Sequence, residues 1–160
     1  MHFIEYNRKA AAKYAKRWAF SRNPEYYNFD GIGGDCTNFA SQCLYAGSRV
    51  MNFTKDFGWY YISINNRAPA WSSAEYFRRF LLDNRGEGPF AAARKITQLE
   101  SGDFISLSDG ENIYHTLFVV DIIDNMPYVA AHTNDAYNIP ISSYSYGTAL
   151  GLHIIGSNIF

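Results

Sequence analysis

A cysteine that heads a helix and two histidines on a hairpin are the residues of this chain whose types and spacing could do chemistry. The run Gly33-Gly34-Asp35-Cys36-Thr37-Asn38-Phe39-Ala40-Ser41-Gln42-Cys43 leads two glycines into a helix-capping residue. Cys36 then falls in the first helical turn. Free amides and the positive end of the helix dipole favour a thiolate there, so this is where a nucleophilic sulfur would be placed. Such a sulfur needs an imidazole partner.

Four histidines are available. His2 is near a terminus and His153 falls in a closing apolar strand, both ordinary structural or solvated settings. His115 and His132 belong to a predicted hairpin that turns at Asp124-Asn125. A two-residue turn gives paired positions a constant sum of 249, which sets His115 opposite Asn134. A sum of 247 sets it opposite His132. Either odd register puts His115, His132 and Asn134 on one sheet face, within about 5 to 8 Å of each other. The division of labour would be that of thiol catalysis. Cys36 attacks, His115 moves the proton, and His132 or Asn134 holds the imidazole.

Other elements must position these groups. Ala10, Ala11, Ala12, Tyr14, Ala15 and Trp18 form the apolar side of a first helix over 6–18, ended by Ser21-Arg22-Asn23-Pro24. The second helix is expected from Cys36 to about Ala46 and closed by Gly47, with residues 36, 39, 40, 43 and 44 on one face. Cys43, within that stripe, reads as a buried apolar residue. Ser72-x-x-Glu75 has the form of a capping box and starts a third helix that reaches Asn84. Beyond residue 100 the period changes to that of strands: 104–107, 113–123, 128–132 and 151–155. Helices followed by an antiparallel sheet make an α+β domain over 1–160.

Composition narrows the function classes. With 48% hydrophobic and 18% charged residues, the 160-residue chain can bury a core without staples. A formal charge of -1 without any basic stripe argues against a nucleic-acid partner. No apolar run approaches transmembrane length. The two cysteines sit seven apart on one helix, roughly 10 Å, too far for a disulfide. The start Met1-His2-Phe3-Ile4-Glu5 lacks the pattern of a secretion signal, which leaves the compartment open.

The motif Gly-Gly-Asp-Cys-Thr-Asn-Phe and its companions resemble the putative amidase domain family of Gram-positive bacteria. That family lies within the papain-like superfamily, beside NlpC-type and CHAP cell-wall peptidases. The companions are Tyr6-Asn7-Arg8-Lys9-Ala10-Ala11, Asn23-Pro24-Glu25-Tyr26, Ala46-Gly47, Gly58-Trp59, Ser101-Gly102-Asp103, His115 and Ala131-His132-Thr133-Asn134-Asp135. The resemblance implies a papain-like (NlpC-type) fold with N-terminal helices packed on a C-terminal antiparallel sheet. It assigns Cys36 as nucleophile, His115 as base and His132 as the third polar residue, with Asn134 as the alternative of the papain kind.

The same kinship implies a peptide or peptidoglycan-type amide substrate, no cofactor, and work at the cell envelope or outside it. One departure is the glutamine that papain-like enzymes place before the cysteine to hold the oxyanion. This chain offers Tyr27 or Asn28 instead, beside the Cys36 amide. Asp35 reads as a structural N-cap whose carboxylate points away from the sulfur, and Gln42 as a structural hydrogen-bonding residue. Two other classes fit the residue types. One is a zinc hydrolase built on Cys36, His115 and His132 with Asp135 nearby. The other is a non-catalytic binding module with Trp59, Trp71 and tyrosines lining a groove.

Overall fold

A computed structural model describes residues 1–160 as an antiparallel sheet with helices packed on one face. In chain order the elements are β1 (His2–Ile4), α1 (Arg8–Trp18), α2 (Cys36–Ser48), β2 (Tyr61–Ser63), β3 (Asn66–Arg67), α3 (Pro69–Ser72), α4 (Ala74–Asp83), β4 (Gly88–Arg94), β5 (Phe104–Ser108), β6 (Ile113–Ile123), β7 (Met126–Ala131), β8 (Ala136–Pro140) and β9 (Thr148–Ile159). The main sheet runs β1-β9-β5-β6-β7-β8, with β4 on the free side of β9. The strands β2 and β3 form a separate hairpin. The class is α+β, as the element pattern requires.

Sheet alternation divides the core in two. Phe104, Phe118, Ala130 and Leu152 face α1, α2 and α4 and join Phe39, Cys43, Leu44, Trp59, Trp71 and Phe77 in the larger cluster. Ile105, Leu107, Leu117, Val119 and Val129 point to the other face, where Leu99 and Ile141 from short 3₁₀ turns cover them. Trp59 and Trp71 are fully buried, so they are core residues and line no groove.

The helix α2 is buried nearly all round, and its polar residues each fasten another element. Asn38 accepts from Trp71 Nε1 at 2.9 Å and donates to Tyr27 O and Asp35 Oδ1, both at 2.9 Å. Ser41 accepts from Trp59 Nε1 and donates to Trp71 O. Gln42 Oε1 accepts from the Tyr14 hydroxyl at 2.5 Å, and Asn23 Nδ2 donates to Tyr14 Oη. A helix without a solvated face survives because each of these polar groups finds a partner.

Several boundaries differ from the sequence expectations. α2 continues through Gly47 to Ser48 and closes at Arg49, which takes the left-handed φ of 61°. Gly47 is a packing residue: a Cβ there would stand 2.7 Å from Asn7 O and against the Tyr6 ring. The cap of α4 is Ser73, whose hydroxyl accepts from Tyr76 N, while the Ser72 hydroxyl accepts from Arg67 Nε. β4 pairs along β9 although Ala91, Ala92 and Ala93 carry little strand preference. There, pairing overrides local propensity.

Ser101-Gly102-Asp103 and the N-terminal Tyr6-Asn7-Arg8 form one knot. Tyr6 Oη donates to Gly102 O, Arg8 donates to Ser101 O, Asp103 and Ile154 O, and Asp103 also holds Glu100 N, Ile154 N and His153. It ties the chain start to β5 and β9, on which the sheet is centred.

Candidate functional site

Gly33 and Gly34 adopt φ of 78° and 96°, which turns the chain into α2 with Asp35 as the last residue before the helix. Asp35 was expected to cap that helix. It makes no side-chain capping bond. Its carboxylate turns away, accepting from Phe29 N and Asn38 Nδ2 and lying 2.5 Å from His132 Nδ1. Burial pushes the Asp35 carboxyl up, but His132, Asn38 and the Phe29 amide outweigh it and hold the group below the ordinary carboxylate range. The first amides of α2 therefore stay uncapped, and Cys36 sits among them.

Cys36 is half-buried and a free thiol, as is the buried Cys43. Its sulfur lies 3.7 Å from Thr37 Oγ1. Burial raises the thiol pKa; the Thr116 backbone amide, the Thr37 hydroxyl and the Thr37 amide pull it partly back, and Asp35 pushes it up again. Thr37 Oγ1 in turn stands 3.0 Å from Thr116 Oγ1. These contacts bring the start of α2 to β6 at the residue next to His115.

The edge geometry explains how that is reached. β6 pairs with β7 only from Phe118 to Ile123, so the 113–117 half has lost its neighbour on that side. The start of α2 occupies this opening, with Asp35 N donating to Thr133 Oγ1 of the turn after β7. The Cys36 sulfur lies at this strand edge, where the Thr116 backbone amide acts on it. Thr116 lies on the helix-facing side, toward Thr37. His115, paired with Leu107, lies on the other.

The expected hairpin register needs correcting. Near the turn, pairs such as Ile123 with Met126 do sum to 249, but Phe118 pairs with Ala130, a sum of 248. A bulge at Val120 inserts one residue, and one residue reverses the parity of every pair beyond it. His115 and His132 therefore do not share a face. His132 stacks on Phe39, ring centroids 4.0 Å apart, with Nδ1 at Asp35 and Nε2 2.7 Å from Trp18 O. It is 1% exposed, and neither nitrogen is turned to His115. Arg22 closes the same cluster, bonding Asp30 and Asp135 beside His132. Asn134 is exposed in the 132–135 turn with φ of 60°.

His115 is nearly buried, and desolvation alone lowers its pKa from 6.5 to about 4. Its ring neighbours are Tyr114 at 6.5 Å and Tyr144 at 5.7 Å. Tyr144 is a residue the sequence reading passed over. Its hydroxyl is buried without a hydrogen-bond partner in the protein, and burial together with the charge of Cys36 raises its pKa. Tyr27 and Asn28 are exposed in the loop before α2. The Tyr27 amide donates to Tyr61 Oη, and Asn28 Oδ1 receives Asp30 N. No three His, Cys, Asp or Glu side chains are grouped as metal donors, so Cys36, His115 and His132 are not gathered into a zinc site.

A sequence profile described as a putative amidase domain matches residues 5–155. The chain belongs to this amidase-domain family. Within it, the chain is similar to two Bacillus subtilis (strain 168) proteins. The uncharacterized protein YhbB is 31% identical over 138 residues, 83% of this chain and 43% of YhbB. The uncharacterized protein YjcM is 28% identical over 145 residues, 84% of this chain and 32% of YjcM. The amidase domain thus spans less than half the length of either relative. No solved structure matches the chain. No helix is long and apolar enough to cross a membrane.

Proposed function

We propose that this amidase domain is a cysteine-dependent amide hydrolase of papain-like, NlpC-type descent, acting on bacterial cell-wall peptide at the envelope. The observation that carries the reading is the Cys36 sulfur at an uncapped helix start, served by the amide of Thr116, the residue beside His115. Membership of the amidase-domain family supports the bond class. The cell-wall substrate follows from the resemblance to NlpC-type and CHAP enzymes.

At rest both partners are neutral: burial keeps the Cys36 thiol up and the His115 imidazole down at about 4. Attack therefore proceeds with proton transfer rather than from a preformed ion pair. His115 takes the Cys36 proton as Sγ bonds the carbonyl carbon, and the uncapped α2 amides receive the oxyanion. The C–N bond then breaks, and His115 gives its proton to the leaving amine, leaving a thioester. Water attacks the thioester as His115 accepts its proton; the Sγ–C bond breaks, and the proton returns to sulfur. His132 holds the Asp35 turn in this scheme, and no third residue is needed to polarise His115.

The test is digestion of peptidoglycan fragments by the wild-type domain and by Cys36→Ala and His115→Ala, with products read by mass spectrometry. Each substitution should abolish new amine and carboxyl termini while circular dichroism stays unchanged. Full turnover in either variant sinks the mechanism; cleavage only of other amides keeps the mechanism and removes the substrate.

A further inference from the structure

We infer that Tyr144 is a catalytic residue of this site, its hydroxyl donating to the acyl oxygen of the substrate as negative charge develops there. The inference rests on the Cys36 acyl-transfer reading above and adds a residue that neither the motif nor the family match singles out.

Three observations carry it. Tyr144 Oη is buried and has no hydrogen-bond partner in the protein. A hydroxyl left so costs stability, which an ordinary structural tyrosine avoids. Second, the Tyr144 ring lies 5.7 Å from that of His115, tilted by 57°. Third, burial and then the charge of a Cys36 thiolate raise the pKa of the Tyr144 phenol. A buried hydroxyl without a protein partner, on a ring beside that of the base, is placed for a group that arrives at the site.

Its anchoring suits that role. The preceding 3₁₀ turn, Ile141–Ser143, buries Ile141 in the second core cluster, and Tyr144 N donates to Ile141 O at 3.0 Å. The phenol is thus carried by a packed turn, and the donor is fixed before substrate enters. With the α2 amides it supplies a side-chain donor, the part that papain-like enzymes assign to a glutamine.

The experiment uses p-nitrophenyl acetate, whose acyl transfer to Cys36 releases a coloured burst, on wild type, Cys36→Ala and Tyr144→Phe. Tyr144→Phe should slow the burst about 100-fold or more, the usual loss for one oxyanion donor. Its melting temperature should equal or exceed that of wild type, because the lost hydroxyl satisfied nothing in the resting protein. Iodoacetamide should alkylate Cys36 at the wild-type rate, since that reaction develops no oxyanion.

A burst within threefold of wild type overturns the assignment, and so does a clear drop in melting temperature, which would mark a structural hydroxyl. Equal slowing of burst and alkylation places Tyr144 on the thiol and also overturns it. If wild type gives no burst that depends on Cys36, the acyl-transfer reading itself falls, a result distinct from the others.

Discussion

His132 Nδ1 stands 2.5 Å from Asp35 Oδ2, so the residue before the candidate nucleophile is fastened to the turn that follows β7. The pair is buried on both sides, 1% exposed in each side chain. It is extended by Phe39 stacked under the imidazole and by Trp18 O at the other nitrogen. One imidazole thus joins α1, α2 and the β7–β8 turn, and it fixes where the α2 start meets β6.

Asp35→Ala should therefore cost about 3 to 5 kcal/mol, because it leaves His132 and Asn38 buried without their acceptor. The effect has a pH signature. The folded-state pKa of Asp35 is depressed, so its contribution is fully present above the ordinary carboxyl pKa of 3.8 and is lost as pH falls below it. Chemical denaturation of wild type and variant from pH 7 to 3 checks this. The gap between the two should be constant above about pH 4 and narrow below it.

His115 titrates in a different window. Its folded pKa of about 4 lies under the ordinary 6.5, so the unfolded chain takes up a proton first as pH falls. Stability from this group is complete above 6.5 and declines toward pH 4, by about 3 kcal/mol in all. His115→Phe should remove that slope between pH 6.5 and 4 and abolish turnover. In the wild type, kcat/KM should keep its acid limb near pH 4 rather than near 6.5, since a neutral imidazole is the base. A limb near 6.5 would mean that the ring is solvated during catalysis.

How much of this was legible in the sequence depended on what the signal was made of. The helix start at Cys36, the 113–123 strand and the turn at Asp124-Asn125 all rest on local chemistry, and each is present; both turn residues take positive φ. The His115–His132 pairing rested on counting across a long hairpin, and Val120, one bulged residue with no glycine to mark it, reversed the faces. Asp35 has the composition of an N-cap, but a buried histidine ninety-seven positions away competes for its carboxylate and wins. Tyr144 sits in a Ser- and Tyr-rich turn without period or motif, so only the packing of the turn reveals its orphan hydroxyl.

Gly47 gives a prediction about packing alone. The sequence reads it as a helix stop, yet it lies inside α2 where Asn7 N donates to its carbonyl at 2.9 Å. Gly47→Ala would improve helix propensity by up to about 1 kcal/mol in an open helix. Here its Cβ meets Tyr6 and Asn7, whose positions are fixed by the Tyr6–Gly102 bond and the start of α1. Overpacking of this kind costs about 1 to 3 kcal/mol, so the variant should melt lower than wild type. A higher melting temperature would show that the α1 start yields.

The hydroxyl pair Thr37–Thr116 tests whether the α2 start and β6 are coupled at the nucleophile. Their oxygens are 3.0 Å apart and both residues are 1% exposed, so each is the other's partner across the junction. Thr37→Val leaves the Thr116 hydroxyl buried and unsatisfied, and Thr116→Val does the converse. Each single change should cost about 1 to 3 kcal/mol, whereas replacing both with apolar groups of the same shape is nearly neutral. The double-mutant cycle should therefore show a coupling of at least about 1 kcal/mol. Function separates the two singles: Thr37 Oγ1 also lies 3.7 Å from Cys36 Sγ and favours the thiolate. Thr37→Val should move the pH midpoint of Cys36 alkylation upward, and Thr116→Val should move it less, because the donor acting on the sulfur from Thr116 is its backbone amide, which valine keeps. Equal shifts in the two variants would mean that the hydroxyl pair acts on the sulfur only by holding α2 against β6.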